Sequence, residues 1–327
     1  MDRKKVLIIG GAGYVGAELV PQLLKTYEIT VFDLMIYGAN VFEPNANLTI
    51  IEGDQRDSKT LQDIIPGHDY IIHLACISND PSFELNPELG KSINFDCFEA
   101  ILKIAKQNSI KRFIYASSSS VYGIKGEENV HEDLTLEPLT DYSKYKAMCE
   151  KLVLKYSSDQ FCATIVRPAT VCGVSRRQRF DVIVNILTNH AYHNGVVKIF
   201  GGEQKRPNIH IKDMVGIYEF LLNQQTDLIN GEVFNAGFEN HTVLELGQMV
   251  QKIFDEPIEL LKTETNDNRS YHISSKKIVE KLGFKPKYSV ENAVEDLASA
   301  LREKKFDAPM TNSFYYNISR MKEIGLK

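Results

Sequence analysis

The sequence predicts an α/β chain in which a doubly wound parallel sheet carries a smaller C-terminal lobe, and three observations lead there. Short, near-continuous apolar runs alternate with longer segments of helical period through the first half of the chain. A glycine cluster, GGAGYVG (Gly10–Gly16), follows the first run directly. No long apolar stretch interrupts the alternation. Runs rich in β-branched residues with little polar alternation suit parallel strands buried on both faces. Right-handed crossovers between them place ligands at the carboxyl ends of the strands.

In chain order the expected strands are KVLIIG from Lys5, EITVFD (Glu28–Asp33), LTIIEG (Leu48–Gly53), DYIIHLA (Asp69–Ala75), RFIYAS (Arg112–Ser117) and CATIVRP (Cys162–Pro168). Helices are expected over Val15–Lys25, Ser58–Ile65, Ile93–Gln107 and Ser143–Tyr156. The second half is less regular: a helix over Phe180–Asn194, the strand and turn VVKIFGG, then helices over Met214–Asn223 and Val243–Phe254. Residues 1–168 form the expected dinucleotide-binding domain, with 211–234 returning to it; 169–210 and 235–327 form the smaller lobe.

A chain of 327 residues can bury one large or two modest cores, and 43% hydrophobic with 25% charged residues is ordinary for a globular protein. A net charge of −5 argues against binding built on nucleic-acid phosphates. One local exception is RRQR (Arg176–Arg179), which fits a phosphate contact and a solvated loop equally well. Five scattered cysteines lack the short spacing of a metal site and read as free thiols in a reducing compartment. No histidine spacing suggests a metal either. With neither a signal-peptide pattern nor a membrane span, a cytoplasmic location is expected.

The glycines let the chain turn tightly and bring backbone N–H groups to a pyrophosphate at a helix N-terminus. Gly10, Gly13, Tyr14, Val15 and Gly16 are therefore candidate cofactor contacts. A glycine trio alone fits an ordinary turn, but here a second marker follows. Asp33 ends the next strand, where a carboxylate accepts from the ribose diol of adenosine and repels a 2′-phosphate, so NAD is expected over NADP. Asp54 and Gln55, after the third strand, are placed to reach the adenine edge, although a loop cap explains Asp54 as well. Leu74 and Ala75 close the fourth strand beside the cofactor channel.

The reactive end is expected where RFIYA runs into SSSSVYG and where DYSKYK (Asp141–Lys146) opens a helix. Serine is a poor strand former, and a buried hydroxyl without a partner costs about 1–3 kcal/mol. Four in succession are either a polar turn or a strand end that delivers a hydroxyl. Tyr142 and Lys146 stand four apart, on one helix face. A tyrosine near its ordinary pKa of about 10 is a poor base at neutral pH unless a nearby cation favours the phenolate.

Taken in order, the glycine motif, Asp33, HLAC, SSSSVYG, YSKYK and VRPATVCG resemble the extended short-chain dehydrogenase/reductase family, within it the nucleotide-sugar epimerases, dehydratases and reductases. GGEQKRPNIHIKDM and NRSYHISSKKIVEKLGFKP extend the resemblance through the second half. It implies a Rossmann-type fold and a catalytic set of Ser118, Tyr142 and Lys146, with Ser117 beside the nicotinamide and Tyr142 and Lys146 also touching the cofactor. It implies Pro168 against the nicotinamide ring and Thr170 toward a sugar. Arg206 and Arg269, with Tyr271 nearby, match positions that hold a nucleotide diphosphate, for which planar guanidinium groups suit bidentate contacts. Asn79, in the ISNDPS loop, and Ser119 are expected to border the sugar.

Sugar 4,6-dehydratases of the family carry an Asp–Glu pair where this chain has Ser119 and Ser120. A serine is no acid, so elimination of water lacks its proton donor. The implied activity is oxidation and reduction at C4 of a nucleotide-diphosphate sugar through a 4-keto species, as a 4-epimerase ahead of a 4-dehydrogenase or 4-ketoreductase. A cofactor- or partner-binding module without chemistry would have no need of all three catalytic residues. The resemblance also implies a homodimer, paired through the helices around 93–107 and 143–156.

Overall fold

The computed structural model describes residues 3–38, 40–265 and 270–326. Its centre is a sheet of seven strands, each parallel to its neighbours. Six come from the first half: β1 (Lys5–Ile9), β2 (Glu28–Asp33), β3 (Leu48–Glu52), β4 (Tyr70–His73), β5 (Arg112–Ala116) and β6 (Cys162–Pro168). A short β7 (Thr170–Cys172), β8 (Val196–Phe200) and β9 (Lys205–His210) follow, then β10 (Val233–Ala236), β11 (Glu239–Thr242) and β12 (Glu259–Thr263). The central order is β10-β6-β5-β4-β1-β2-β3, so the chain reverses direction across the sheet between β1 and β4 and opens a crevice at their carboxyl ends. In register, Ile8 of β1 faces Val31 of β2 on one side and Ile72 of β4 on the other.

Alternate residues of β1 serve separate cores. Val6 and Ile8 pack with the Gly16–Leu23 and Ile211–Leu222 helices, while Leu7 and Ile9 pack with the Phe98–Gln107 helix on the opposite face. Burial on both faces is why these strands read as unbroken apolar runs. The smaller lobe has its own core, around Phe180, Val197, Leu246 and Leu297. It also holds a three-stranded sheet, β11-β9-β7, and a parallel pair, β8 with β12. No helix of the described residues is long and apolar enough to cross a membrane.

Among the boundaries that differ from the sequence expectation, three have clear local reasons. The 93–107 segment begins as a wider turn over Ser92–Asp96 before its α-helix at Phe98, with Asn94 turned to bond the backbone of Ile77 on both its N–H and its carbonyl. The catalytic helix starts at Asp141, because Thr140 and Ser143 cap one another's backbone N–H groups. The helix expected from Phe180 starts at Ile183. Residues 173–181 instead form a loop, pinned where Gln178 accepts from the Ser175 N–H and Asn185 bonds the carbonyls of Gly173 and Arg179.

A buried ion pair ties the central elements together. Arg167 on β6 meets Glu150 of the Asp141–Tyr156 helix through two hydrogen bonds, Nε to Oε1 at 3.0 Å and Nη2 to Oε2 at 2.7 Å. Ser117, after β5, donates to Glu150 at 2.5 Å, and Arg167 also donates to the Tyr122 hydroxyl, which donates to Asn235 of β10. Removing one partner of such a pair strands a charge and costs about 3–5 kcal/mol, whereas removing both together costs far less. Urea denaturation of Glu150→Ala, Arg167→Met and the double variant is expected to show each single variant destabilised by about that amount. The double variant should lose much less than their sum.

Candidate active site

The crevice holds a cavity of about 340 Å³, within the range of small-molecule sites. At its floor the turn after β1 runs against the end of β4. Gly10 has φ +84°, and a Cβ there would lie 2.4 Å from the Ala75 nitrogen. Gly16 is constrained the same way, with the Gly11 carbonyl oxygen 2.3 Å from its would-be Cβ. Gly13 differs: a Cβ would meet nothing nearer than 3.5 Å. The protein's own packing leaves that side open, as a pyrophosphate at the start of the Gly16–Leu23 helix requires. Tyr14, Val15, Leu74 and Ala75 line the same floor.

Asp33 lines the same cavity at the end of β2. Its carboxylate accepts from the backbone N–H groups of Ala12 (3.0 Å) and Met35 (2.9 Å). Burial pushes its carboxyl up from the ordinary range, and the two N–H groups oppose that. Gln55 lines the cavity too, but its side chain is taken up: it donates to the Ile93 carbonyl and accepts from His73. Burial holds that histidine at a pKa of about 3, hence neutral.

At the other end the serine run resolves into separate tasks. Ser117 lines the cavity while its hydroxyl serves Glu150. Ser118 caps a short 3₁₀ turn over Ser119–Tyr122 and is the serine hydrogen-bonded to Tyr142. Ser119 is buried against the cavity. Ser120 belongs to the turn, and its hydroxyl lies 2.9 Å from that of Ser118, so it supports the reactive serine.

Tyr142 and Lys146 both line the cavity. Lys146 donates to the Ala116 carbonyl at 2.6 Å and lies 6.0 Å from the centre of the Tyr142 ring. Burial pushes the Tyr142 phenol well above its ordinary value, with Cys76 and Asp80 adding to the rise. The hydrogen bond from Ser118 and the charge of Arg179 pull the other way. Pro168, Thr170, Asn79 and Tyr271 complete the wall expected from the sequence. Asn79 is held at φ +74°, uncommon for a residue with a Cβ, and its side chain caps the short Asp80–Glu84 helix.

Two residues expected as ligand contacts stand apart from this cavity's wall. Asp54 lies outside the cavity wall because Arg56, two residues on, takes its carboxylate. Arg206 also lies outside: on β9 it pairs in register with His241, and its guanidinium packs 5.3 Å from the Tyr271 ring. Arg269 falls outside the described residues. The structure separates the arginines that the sequence left open. Arg176 turns outward onto Glu18, while Arg177 and Arg179 turn inward and line the cavity. Tyr37, Asn317 and Met321 are cavity residues that sequence reasoning missed. Nothing local marks Asn317 and Met321, which come from the far end of the chain.

A glycine turn, an aspartate at the end of the second strand and a Ser–Tyr–Lys set on one crevice are the marks of an NAD-dependent enzyme of the short-chain dehydrogenase/reductase type. The sequence model of the NAD dependent epimerase/dehydratase family matches residues 6–237, and the chain belongs to that family. A UDP-glucose 4-epimerase of Lactobacillus helveticus is 27% identical over 320 residues, covering 90% of this chain and 96% of that protein. Among solved structures, a UDP-N-acetylglucosamine 4-epimerase from Methanobrevibacter ruminantium M1 superposes with a TM-score of 0.83 at 24% identity, covering 93% of this chain and 100% of that one. The dTDP-glucose 4,6-dehydratase DesIV from Streptomyces venezuelae, solved with NAD, superposes with a TM-score of 0.84 at 22% identity, covering 94% and 100%.

With the Tyr142 phenol raised, a phenolate acting as base predicts turnover that climbs with rising pH. Ser118→Ala removes a group that favours the phenolate. It should shift that limb to higher pH and lower turnover by about 10²–10⁴-fold. A pH–rate profile of sugar interconversion, with substrate and product separated by chromatography, measures both effects.

Proposed function

We propose that this protein interconverts the C4 epimers of a nucleotide-diphosphate sugar. The observation that carries the reading is the meeting of Ser118, Tyr142 and Lys146 in the cavity whose far end holds Asp33. The near full-length match to a 4-epimerase supports it. NAD, when bound, supplies a hydride acceptor that can return what it takes. Tyr142 removes the proton of the C4 hydroxyl as the C4 hydrogen departs, and Ser118 donates a hydrogen bond to the same oxygen. Once the ketone presents its other face, Tyr142 returns the proton and the alcohol re-forms with inverted configuration. Lys146 holds the nicotinamide ribose from its anchor on Ala116.

The cavity wall argues against loss of water from C6. Its described carboxylates are Asp33, at the adenosine end, and Asp80, which accepts from Thr140 at 2.6 Å. Ser119 stands where the family's dehydratases place an acid. Incubation with a panel of nucleotide sugars, read by mass spectrometry, is expected to give a product of unchanged mass. A product lighter or heavier by two hydrogens, or lighter by one water, would overturn the reading.

A homodimer through the Phe98–Gln107 and Asp141–Tyr156 helices belongs to the same proposal. Met148 and Leu154 leave apolar surface exposed on the second helix, suited to an isologous pairing. Light scattering at micromolar concentration should give twice the mass of the chain. The five unpaired thiols fit a reducing, cytoplasmic setting.

A further inference from the structure

The loop over 173–181 belongs to the smaller lobe's connection, yet it is fastened to the glycine turn. The Tyr14 hydroxyl donates to the Gly173 carbonyl at 2.6 Å, Ser175 donates to the Tyr14 carbonyl at 2.8 Å, and Arg176 pairs with Glu18 in the first helix. Held there, the loop brings Arg177 and Arg179 into the cofactor cavity, 5% and 9% exposed.

The two guanidinium groups are incompletely satisfied. Arg179 pairs with Asp181 through Nε and donates to Ser78 through Nη1, which leaves Nη2 without an acceptor among the described residues. Arg177 lies 3.3 Å from the centre of the Tyr37 ring and donates one bond, to Asn317; its Nε has no acceptor, and no described carboxylate forms an ion pair with it. Burial lowers its pKa to about 10, with the charge of Arg179 contributing. Buried cations are expensive unless a counter-ion completes them. Asn317 is the hub that holds both in place: it accepts from Tyr37 and Arg177, donates to Ser78, and donates its backbone N–H to Asp181.

We propose that Arg177 and Arg179 bind the diphosphate of NAD from the side opposite the glycine turn, with Asn317 as their positioning residue, so that the second lobe and the C-terminal segment close over the cofactor. Two oxyanion-bearing phosphates supply the acceptors that the free N–H groups lack, and guanidinium forks match their geometry. A cofactor gripped on both sides stays bound between the two hydride steps. The inference rests on the cofactor end of the site and is independent of which sugar reacts.

The test uses the full chain with Arg177→Met, Arg179→Met and Asn317→Ala. First, NAD retained per protomer through gel filtration is measured; second, cofactor-stripped protein is titrated with ADP, adenosine and UDP. The methionine variants should retain less NAD and bind ADP about 10- to 100-fold more weakly, the scale of a lost charge-assisted hydrogen bond, with adenosine within about twofold of wild type. Asn317→Ala keeps both charges and should show the same pattern more mildly. Should a methionine variant fail to fold, Arg179→Lys retains charge and stem and should still weaken ADP by about tenfold. Unchanged ADP affinity overturns the proposal. So does a loss confined to UDP, which would assign the arginines to the substrate's diphosphate. Failure of wild type to bind adenosine would instead overturn the cofactor end itself.

Discussion

Glu150 and Arg167 form an ion pair buried beneath the reactive end of the crevice, and the geometry of that end depends on it. The pair joins the catalytic helix to β6, reaches the end of β5 through Ser117, and reaches β10 through Tyr122 and Asn235. Tyr142 and Lys146 ride on the helix, Ser118 on the strand end, and Pro168 on β6. A shift of any one element would break hydrogen bonds to charged groups in a dry interior, where their loss is costly. Position at the site is therefore set from below, and the cavity wall itself is left free to meet ligands.

That arrangement explains why four consecutive serines can follow a buried strand. Ser117 completes the network below the site, Ser118 faces Tyr142, Ser119 lines the cavity and Ser120 backs Ser118 through the turn. Ser117, Ser118 and Ser120 thus have hydrogen-bond partners for their hydroxyls, and Ser119 is left to the cavity. The same economy governs Tyr142. Burial, with Cys76 and Asp80 adding to it, pushes its phenol up, and the groups that favour the phenolate come from two parts of the chain: Ser118 at the strand end and Arg179 in the 173–181 loop. Lys146, which the sequence places to tune the tyrosine, donates to the Ala116 carbonyl and lies 6.0 Å from the centre of the Tyr142 ring.

The 173–181 loop links the two halves of the molecule. One side of it bonds Tyr14 and Glu18 in the cofactor-binding half, and the other bonds Ser78 and Asn317. The C-terminal segment is bound in turn to the loop after β2, where Arg320 donates to the Ile36 carbonyl. The loop after β2, the glycine turn and the C-terminal segment thus share one wall. That wall is charged and buried, unlike the apolar faces that hold the sheet to its helices.

The parallel sheet, the glycine turn, Asp33 and the Ser–Tyr–Lys set were all legible in the amino-acid order, because each rests on short-range rules. Strands buried on both faces show as apolar runs, tight turns need glycine at particular positions, and residues four apart share a helix face. The choice of Ser118 among the four serines came only from family resemblance. Local order could not show that Asp54 would be taken by Arg56, that Arg206 would lie beside Tyr271 off the cavity, or that RRQR would split between solvent and site. Those outcomes turn on competition among long, flexible charged side chains, and the winner is the partner that the fold brings near. Asn317 makes the point most plainly: it meets Tyr37 and Arg177 across spans of 280 and 140 residues, and only the packed chain makes them neighbours.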